Sequence, residues 1–96
     1  MKAVRASTRR GFSFTLSEQE FVTITSKPCH YCDGPLPRIG SGLDRIDNDK
    51  GYELGNVIPC CTRCNRTRNR YFTKEEMEMF IAPAIRAVMK QRASRV

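Results

Sequence analysis

Two pairs of cysteines carry the first chemical signal in the sequence. Cys29 and Cys32 form one Cys-x-x-Cys pair, Cys61 and Cys64 form another, and residues 33–60 lie between them. This spacing lets both thiolates of a pair reach the same ion, and four thiolates satisfy tetrahedral zinc without leaving an open coordination position. The pattern therefore predicts a structural Zn²⁺ site.

The alternative is that the four cysteines are buried only by coincidence and bind no metal. Cys60 is the odd residue, and it either packs as a small hydrophobic side chain or replaces Cys61 as a ligand. The basic N-terminus lacks an apolar run, so no signal peptide is expected and a metal suits the cysteines better than disulfides do. Because zinc binding contributes to folding, the chain without metal is predicted to be partly or wholly unfolded.

The segment between the cysteine pairs is rich in carboxylates, amides and arginines. Hydrolysis of a phosphodiester needs an activated water, neutralisation of charge on the phosphate and stabilisation of the leaving oxygen. One divalent cation supplies the last two, and carboxylate and amide oxygens suit Mg²⁺ or Mn²⁺. A neighbouring guanidinium adds a bidentate contact to phosphate. These residue types are therefore compatible with a site that hydrolyses phosphodiesters.

The order of these residues resembles that of the His-Asn-His (HNH) endonucleases, the ββα-metal nucleases of phages and bacteria. The resemblance covers residues 29–70 and is to the branch whose motif runs through two zinc knuckles. The matched positions are Leu43-Asp44-Arg45-Ile46-Asp47, Gly51-Tyr52, Asn56-Val57 and Cys61-x-x-Cys64-Asn65. The resemblance implies a two-stranded hairpin that crosses a helix, with one divalent cation between them.

The resemblance also implies roles for individual residues. Asp44, at the end of the first strand, and Asn65, in the first turn of the helix, would ligate the catalytic Mg²⁺ or Mn²⁺. Asn69 lies one turn further along the same helix face and would help to hold the metal or the phosphate. Asn56 matches the central Asn of the family, which braces the loop by hydrogen bonds.

Arg45 departs from the family pattern, which usually has the water-activating histidine at this position. Arginine stays protonated at any working pH and cannot act as a general base, so we interpret Arg45 as a phosphate clamp. His30 is the only histidine in the chain, and imidazole suits general-base catalysis near neutral pH. His30 is therefore a candidate catalytic residue, and the alternative is a surface residue of the first knuckle.

Other polar residues near the motif have less specific interpretations. Asp47 and Asp49 are candidates for a base or for partners of the metal ligands, but polar residues that form a turn are the simpler interpretation. Tyr31 and Tyr52 are expected to pack rather than to act as nucleophiles.

The charge of the chain favours a nucleic-acid partner. The sequence has 17 Lys and Arg against 10 Asp and Glu, a net charge of +7. Clustered cations neutralise phosphates and release counterions, whereas the alternative is a solvated surface that aids solubility. One cluster coincides with the second cysteine pair. The residues predicted to contact DNA are Arg63, Arg66, Arg68, Asn69 and Arg70.

The sequence also predicts the elements that position these residues. Ser17 and Glu20 have the spacing of a capping box, so a short helix should follow Ser17. Strands are expected over residues 43–46 and 56–59, with a polar loop between them, and a helix over 62–70. Thr73 should begin a longer helix over 73–92, and Pro83 should kink it near Met79 because proline lacks a backbone donor.

Together these observations predict one small α+β domain over residues 1–96, with a basic arm or short helix at 1–11 and a ββα-metal core at 29–70. The expected function is metal-dependent cleavage of duplex DNA to 5′-phosphate and 3′-hydroxyl ends, with weak sequence preference. The alternatives are a zinc-stapled binding module without catalysis and an RNA-associated zinc ribbon. The expected setting is the bacterial cytoplasm, with other phage or host DNA-processing proteins as partners and no membrane association.

Overall fold

The computed structural model describes residues 13–38 and 42–94, so the predicted basic arm at 1–11 lies outside the described residues. The elements are α1 (Glu18–Thr25), β1 (Leu43–Arg45), β2 (Val57–Pro59), α2 (Thr62–Arg68), α3 (Lys74–Glu76) and α4 (Ala82–Ala93), with a π-helical turn (Met77–Ile81) between α3 and α4. The small α+β fold is therefore confirmed.

The two strands form an antiparallel hairpin that separates two apolar clusters. The register pairs Leu43 with Pro59, Asp44 with Ile58, and Arg45 with Val57. Successive side chains of a strand point to opposite faces. Val57 therefore packs with Leu16 in one cluster, and Ile58 packs with the cysteines in the other. Each strand is one residue shorter than predicted.

The loop between the strands lies close to the chain segment that precedes α1. Tyr52 N donates to the Ser13 carbonyl and Thr15 N donates to the Tyr52 carbonyl, both at 2.9 Å. Gly51 permits this approach, because a Cβ atom there would lie 2.6 Å from the Ser13 carbonyl oxygen.

The predicted capping box begins α1. Ser17 Oγ accepts a hydrogen bond from Glu20 N at 3.0 Å, and the Glu20 carboxylate accepts one from Ser17 N at 2.8 Å. These bonds satisfy two backbone donors that the first turn would otherwise leave unpaired.

Helix α2 begins within the second cysteine pair and ends two residues before the predicted position. Cys61 is its N-cap, and Asn69 follows its last residue with φ 44° and ψ −126°. A positive φ is unfavourable for a residue with a Cβ atom and costs about 1–3 kcal/mol. The chain therefore turns sharply after Arg68, before Arg70.

The C-terminal helical region begins at the predicted cap, where Thr73 Oγ1 accepts from Glu76 N at 3.0 Å. Pro83 lies in the first turn of α4. A π-helical turn lies directly before α4, at the place where a kink near Met79 was predicted, and in it Ala82 N donates to the Met77 carbonyl. A π turn is one of the recognised ways in which a helix accommodates such an interruption.

The cysteine-rich cluster joins the first knuckle to β2 and to the C-terminal helix. His30 N donates to the Pro59 carbonyl at 2.8 Å, and Arg86 Nη1 of α4 donates to the Tyr31 carbonyl at 2.7 Å. Met77 is 0% exposed within this cluster. In residues 13–38 and 42–94, no helix is both long and apolar enough to cross a membrane.

We expect Met77→Ala to lower the free energy of unfolding by about 2–5 kcal/mol, because it removes a fully buried side chain and leaves a cavity. Met79→Ala is the matched control: Met79 is 67% exposed, and its removal should change stability by less than about 0.5 kcal/mol. Urea unfolding of the metal-loaded protein measures both values. Equal losses for the two variants would contradict the observed packing.

Candidate functional site

The four predicted zinc ligands come together in the structure. Cys29, Cys32, Cys61 and Cys64 are all buried, and their sulfur atoms all lie within 4.8 Å of one another. A zinc ion with four sulfurs at about 2.3 Å requires sulfur atoms about 3.8 Å apart, and Cys32 Sγ and Cys61 Sγ are 3.7 Å apart. The four cysteines could therefore hold a metal ion such as zinc.

Cys60 lies beside this group but is not part of it. Its side chain is buried, and a hydrogen bond with Cys60 is the main reason why the pKa of Cys29 is lowered to about 3. Burial raises the pKa of Cys61 and of Cys64. Four close thiolates need a cation to offset their charge, so the geometry favours Cys61, rather than Cys60, as the ligand.

A small polar pocket lies between the start of the hairpin and the C-terminal end of α2. Its volume is about 140 Å³, and it is lined by Leu43, Asp44, Arg45, Asn48, Tyr52, Asn65, Asn69 and Arg70. Asp44, Arg45, Asn65 and Asn69 were all predicted from the sequence. The structure therefore brings both candidate metal ligands into one pocket with two arginines.

Asp44 is held by an ion pair inside the protein. It is 6% exposed, and its Oδ2 accepts a hydrogen bond from Arg68 Nη1 at 2.7 Å. Burial raises the pKa of the Asp44 carboxyl, and the hydrogen bond and positive charge of Arg68 oppose that effect. The pair orients the carboxylate relative to the pocket.

Asn65 and Asn69 face the pocket from α2 and its end. Asn65 Nδ2 donates to the Leu43 carbonyl at 3.3 Å, which ties the helix to β1. The Asn65 Oδ1 atom takes no part in this hydrogen bond. Asn69 N donates to the Asn65 carbonyl at 2.8 Å. The amide side chains are thus placed by the helix backbone and by β1 together.

Arg45 lies over the ring of Tyr52, with its guanidinium carbon 5.4 Å from the ring centroid. Its Nη1 donates to the Asn48 carbonyl at 2.8 Å and to the Lys50 carbonyl at 2.9 Å. These contacts orient the guanidinium at the pocket wall. Tyr52 is 8% exposed and packs with Leu43 and Val57, so it serves the core while lining the pocket.

Asn56 holds the loop that joins the strands. Its Oδ1 accepts from Asp47 N at 2.8 Å, and its Nδ2 donates to the Gly51 carbonyl at 2.9 Å and the Asp47 carbonyl at 3.2 Å. Asn56 is buried and does not line the pocket. This arrangement is what a loop brace requires.

His30 is not among the residues that line the polar pocket. Its Nε2 pairs with Glu78, which also contacts Lys74 at 2.9 Å. His30 instead borders a different cleft, together with Ile24, Lys27 and Pro59. The first knuckle directs the imidazole toward the C-terminal helical region, so the structure does not bring His30 together with Asp44 and Asn65. Its role as the catalytic base stays a prediction.

The arginines predicted to contact DNA divide into two groups. Arg63, Arg66 and Arg70 are exposed, and Arg63 Nη2 also donates to Cys32 Sγ at 3.4 Å. Arg68, in contrast, is 2% exposed. Its guanidinium is enclosed among protein acceptors, which disfavours the predicted contact with DNA.

The structural role of Arg68 was missed in the sequence. Its guanidinium donates to Asp44 Oδ2, to the carbonyls of Arg45 and Ile46, and to the Phe72 carbonyl. Arg68 lies three residues after Asn65, and residues at that spacing share a helix face. This spacing was the signal that could have placed Arg68 beside Asp44.

The metal-binding cysteines lead to a prediction about folding. Cys64→Ser, or removal of zinc with a chelator, should abolish the cooperative thermal unfolding transition, because metal binding and folding are coupled in such small sites. Cys60→Ser should retain one bound zinc, since Cys60 lies outside the sulfur cluster. Circular dichroism with zinc analysis by mass spectrometry measures both effects. A folded Cys64→Ser protein without zinc would contradict a structural metal.

The Asp44–Arg68 pair leads to a second prediction. Arg68→Met should cost about 3–5 kcal/mol of stability, because it leaves a buried carboxylate without its partner. Adding Asp44→Asn removes that charge, so the double variant should be more stable than Arg68→Met alone. Urea unfolding of the four proteins gives the coupling. Additive losses would show that the two side chains do not interact.

Comparisons with known proteins agree with this geometry. No protein-family model matches the chain. The uncharacterized protein R423 of Acanthamoeba polyphaga mimivirus is 36% identical over 69 residues, which are 72% of this chain and 13% of the viral protein. The chain therefore spans only a small part of that relative.

A solved structure of the rare-cutting HNH restriction endonuclease PacI, described as perturbing DNA, is similar in fold. The TM-score is 0.77 at 23% sequence identity, and the match covers 93% of this chain and 75% of the PacI chain. At this identity the likeness concerns the fold. The protein thus has the fold of an HNH endonuclease, with four buried cysteines placed to hold a metal ion.

Proposed function

We propose that the protein is a metal-dependent DNA endonuclease of the HNH type, which hydrolyses phosphodiester bonds to leave 5′-phosphate and 3′-hydroxyl ends. The observation that carries this proposal is the polar pocket, where oxygen donors from the hairpin and from α2 meet between two arginines. The HNH-like fold supports it.

The donor set of the pocket fits a hard divalent cation. The Asp44 carboxylate and the Asn65 amide oxygen would hold Mg²⁺ or Mn²⁺, which prefer oxygen ligands. When bound, such a cation polarises a phosphoryl oxygen, stabilises the leaving oxygen and lowers the pKa of water. The buried pair with Arg68 holds the Asp44 carboxylate in place without a cation, which supports a role as a ligand.

Arg45 and Arg70 are placed to hold the scissile phosphate. Both line the pocket, and a guanidinium presents donors in a planar fork that matches two phosphate oxygens. Arg45 is oriented by the Asn48 and Lys50 carbonyls and by the Tyr52 ring. A phosphate bound between the two guanidinium groups would lie next to Asp44 and Asn65, where hydrolysis requires it.

No histidine is among the residues that line the pocket. Among the residues that the structure describes, Asp44 and Tyr52 are the only lining side chains with an ionisable oxygen. Asp44 is already paired with Arg68 and is the proposed ligand of the cation. A cation held by Asp44 and Asn65 would then supply the activation of water, and the rate of cleavage should rise as the pH rises through neutrality.

The exposed arginines of α2 extend the phosphate-binding surface beyond the pocket. Arg63 and Arg66 lie on the same short helix as Asn65, and Arg70 follows its end. Contacts of this kind bind the backbone without reading sequence. Weak sequence preference and strongly salt-dependent binding to duplex DNA follow from such a surface.

The alternative is a nucleic-acid-binding module without catalysis. Arg45 at the usual histidine position and the absence of histidine from the pocket lining favour this alternative. The pocket itself favours the nuclease, because a module that binds only phosphates has no use for a carboxylate placed among its arginines. An RNA-binding role accounts for the charge and the cysteines but not for the pocket.

A plasmid-nicking assay on the zinc-loaded protein tests the proposal. We expect conversion of supercoiled plasmid to nicked or linear DNA in Mg²⁺ or Mn²⁺ and none without a divalent cation. Asp44→Asn, which preserves the shape of the side chain, should slow cleavage about 100-fold or more, because it removes the anionic ligand.

His30→Ala is the matched comparison, since it removes the only histidine at a site outside the pocket. We expect this variant to keep most of its activity. Loss of cleavage in a folded His30→Ala protein would return the imidazole to the mechanism. Absence of cleavage by the wild-type protein, with salt-sensitive binding of DNA preserved, would favour the binding module. Preference for structured RNA over duplex DNA would favour the RNA-binding role.

A further inference from the structure

A larger pocket adjoins the polar pocket on the side of the interstrand loop. Its volume is about 450 Å³, and it is lined by residues 46–49 of that loop, by Arg68 and by residues 70–75. We call it the loop pocket. Asn48 and Arg70 line both pockets, so the two are neighbours, and a strand held in one would pass close to the other.

Tyr71 forms an aromatic wall of the loop pocket. It is 78% exposed, and its ring makes an edge contact with the ring of Phe72, with the two centroids 6.5 Å apart. Phe72 packs against the cysteine-rich cluster, which turns the neighbouring Tyr71 outward. Such an exposed ring contributes little to the core and offers a flat face for stacking.

The charges in the loop pocket differ from those of the polar pocket. Asp47 and Asp49 are exposed on its loop side, and they are held in place because Asp47 Oδ1 accepts from Asp49 N at 2.9 Å. Carboxylates repel phosphate but accept hydrogen bonds from the exocyclic amino groups of bases. Arg68, Arg70 and Lys74 also line the loop pocket. The carboxylates therefore add acceptors for a base beside cations, such as Arg70, that can hold the phosphates of the same strand.

We propose that the loop pocket is a nucleobase subsite, in which an unpaired base stacks on Tyr71 and donates its exocyclic amino group to Asp47 or Asp49. The proposal rests on the proposed function, because the phosphate of the same strand is held by Arg70 at the polar pocket. It narrows the substrate class: a base can stack on a side chain only when it has left the helical stack, so DNA with a locally unpaired base is bound best.

The reach of one nucleotide is compatible with this arrangement. Arg70 and Tyr71 are consecutive, so their Cα atoms are about 3.8 Å apart. A phosphate on the Arg70 guanidinium therefore has its own base, or the next one, beside the Tyr71 ring. Stacking of bases on aromatic side chains beside a basic groove is the usual mode of binding to single strands.

The test measures binding by fluorescence anisotropy, with zinc-loaded protein and no added divalent cation. The probes are a labelled duplex with one unpaired cytosine and the same duplex fully paired. Wild-type protein should bind the unpaired probe more tightly. Tyr71→Ala should weaken binding of the unpaired probe about tenfold to 100-fold and remove the preference, whereas Tyr71→Phe, which keeps the ring, should retain it.

Two controls separate stacking from other contributions. Met79→Ala removes a side chain that is 67% exposed and lines neither pocket, and it should bind both probes as the wild type does. Arg66→Gln should weaken both probes and reduce the slope of log Kd against log salt concentration by about one. Tyr71→Ala should leave that slope unchanged, since stacking releases no counterions.

The role of the Asp47 and Asp49 carboxylates is tested by changing the unpaired base of the probe. Replacing the unpaired cytosine by thymine removes the amino group, and wild-type binding should weaken about tenfold. The Asp47→Asn/Asp49→Asn double variant should lose most of this discrimination. Equal binding of the two bases by the wild type would overturn the role of the carboxylates.

Failure of this inference is distinguishable from failure of the proposed function. Equal binding of both probes by the wild type, or tight binding by Tyr71→Ala, overturns the subsite, while plasmid nicking separately decides the nuclease. Tyr71→Phe that binds as weakly as Tyr71→Ala would assign the effect to the hydroxyl and overturn stacking. Wild-type protein that binds neither probe would overturn the subsite, and plasmid nicking would still decide the nuclease.

Discussion

The buried guanidinium of Arg68 is the interaction on which the rest of the site depends. It joins the Asp44 carboxylate to three backbone carbonyls, which belong to Arg45, Ile46 and Phe72. One side chain thus ties β1, the start of the interstrand loop and the segment after α2 to the helix. A buried charge is strongly destabilising without its partner. An arrangement of the hairpin and the helix that separates Asp44 from Arg68 is therefore disfavoured.

Much of the fold was predictable because its signals are local. The capping boxes at Ser17 and Thr73 and the spacing of the cysteine pairs specify structure over a few residues. The orientations of His30 and Arg68 were not predictable in this way. Each orientation depends on a residue that is distant in sequence: the His30 imidazole pairs with Glu78 of the C-terminal helical region, and the Arg68 guanidinium pairs with Asp44 of β1. The positive charge of Arg68 suggested a contact with DNA, whereas its spacing of three residues from Asn65 indicated that it faces the hairpin.

The four-cysteine cluster and the polar pocket share α2, and this explains how a small chain supports a charged site. Cys61 begins the helix, Asn65 and Arg68 face the hairpin from it, and Asn69 ends it. A metal ion held by the cysteines would fix the start of the helix while the ion pair fixes its end. The apolar core of so short a chain is small, so anchoring at both ends replaces much of the packing that a larger protein would use.

The backbone of Asn69 has a consequence for how such a protein can change over time. Its φ of 44° and ψ of −126° belong to a region that glycine occupies easily and asparagine occupies at a cost. Glycine at this position would relieve the strain, and it would also remove an amide side chain from the lining of the polar pocket. Under the proposed function, a gain in stability at position 69 would therefore come with a loss of activity.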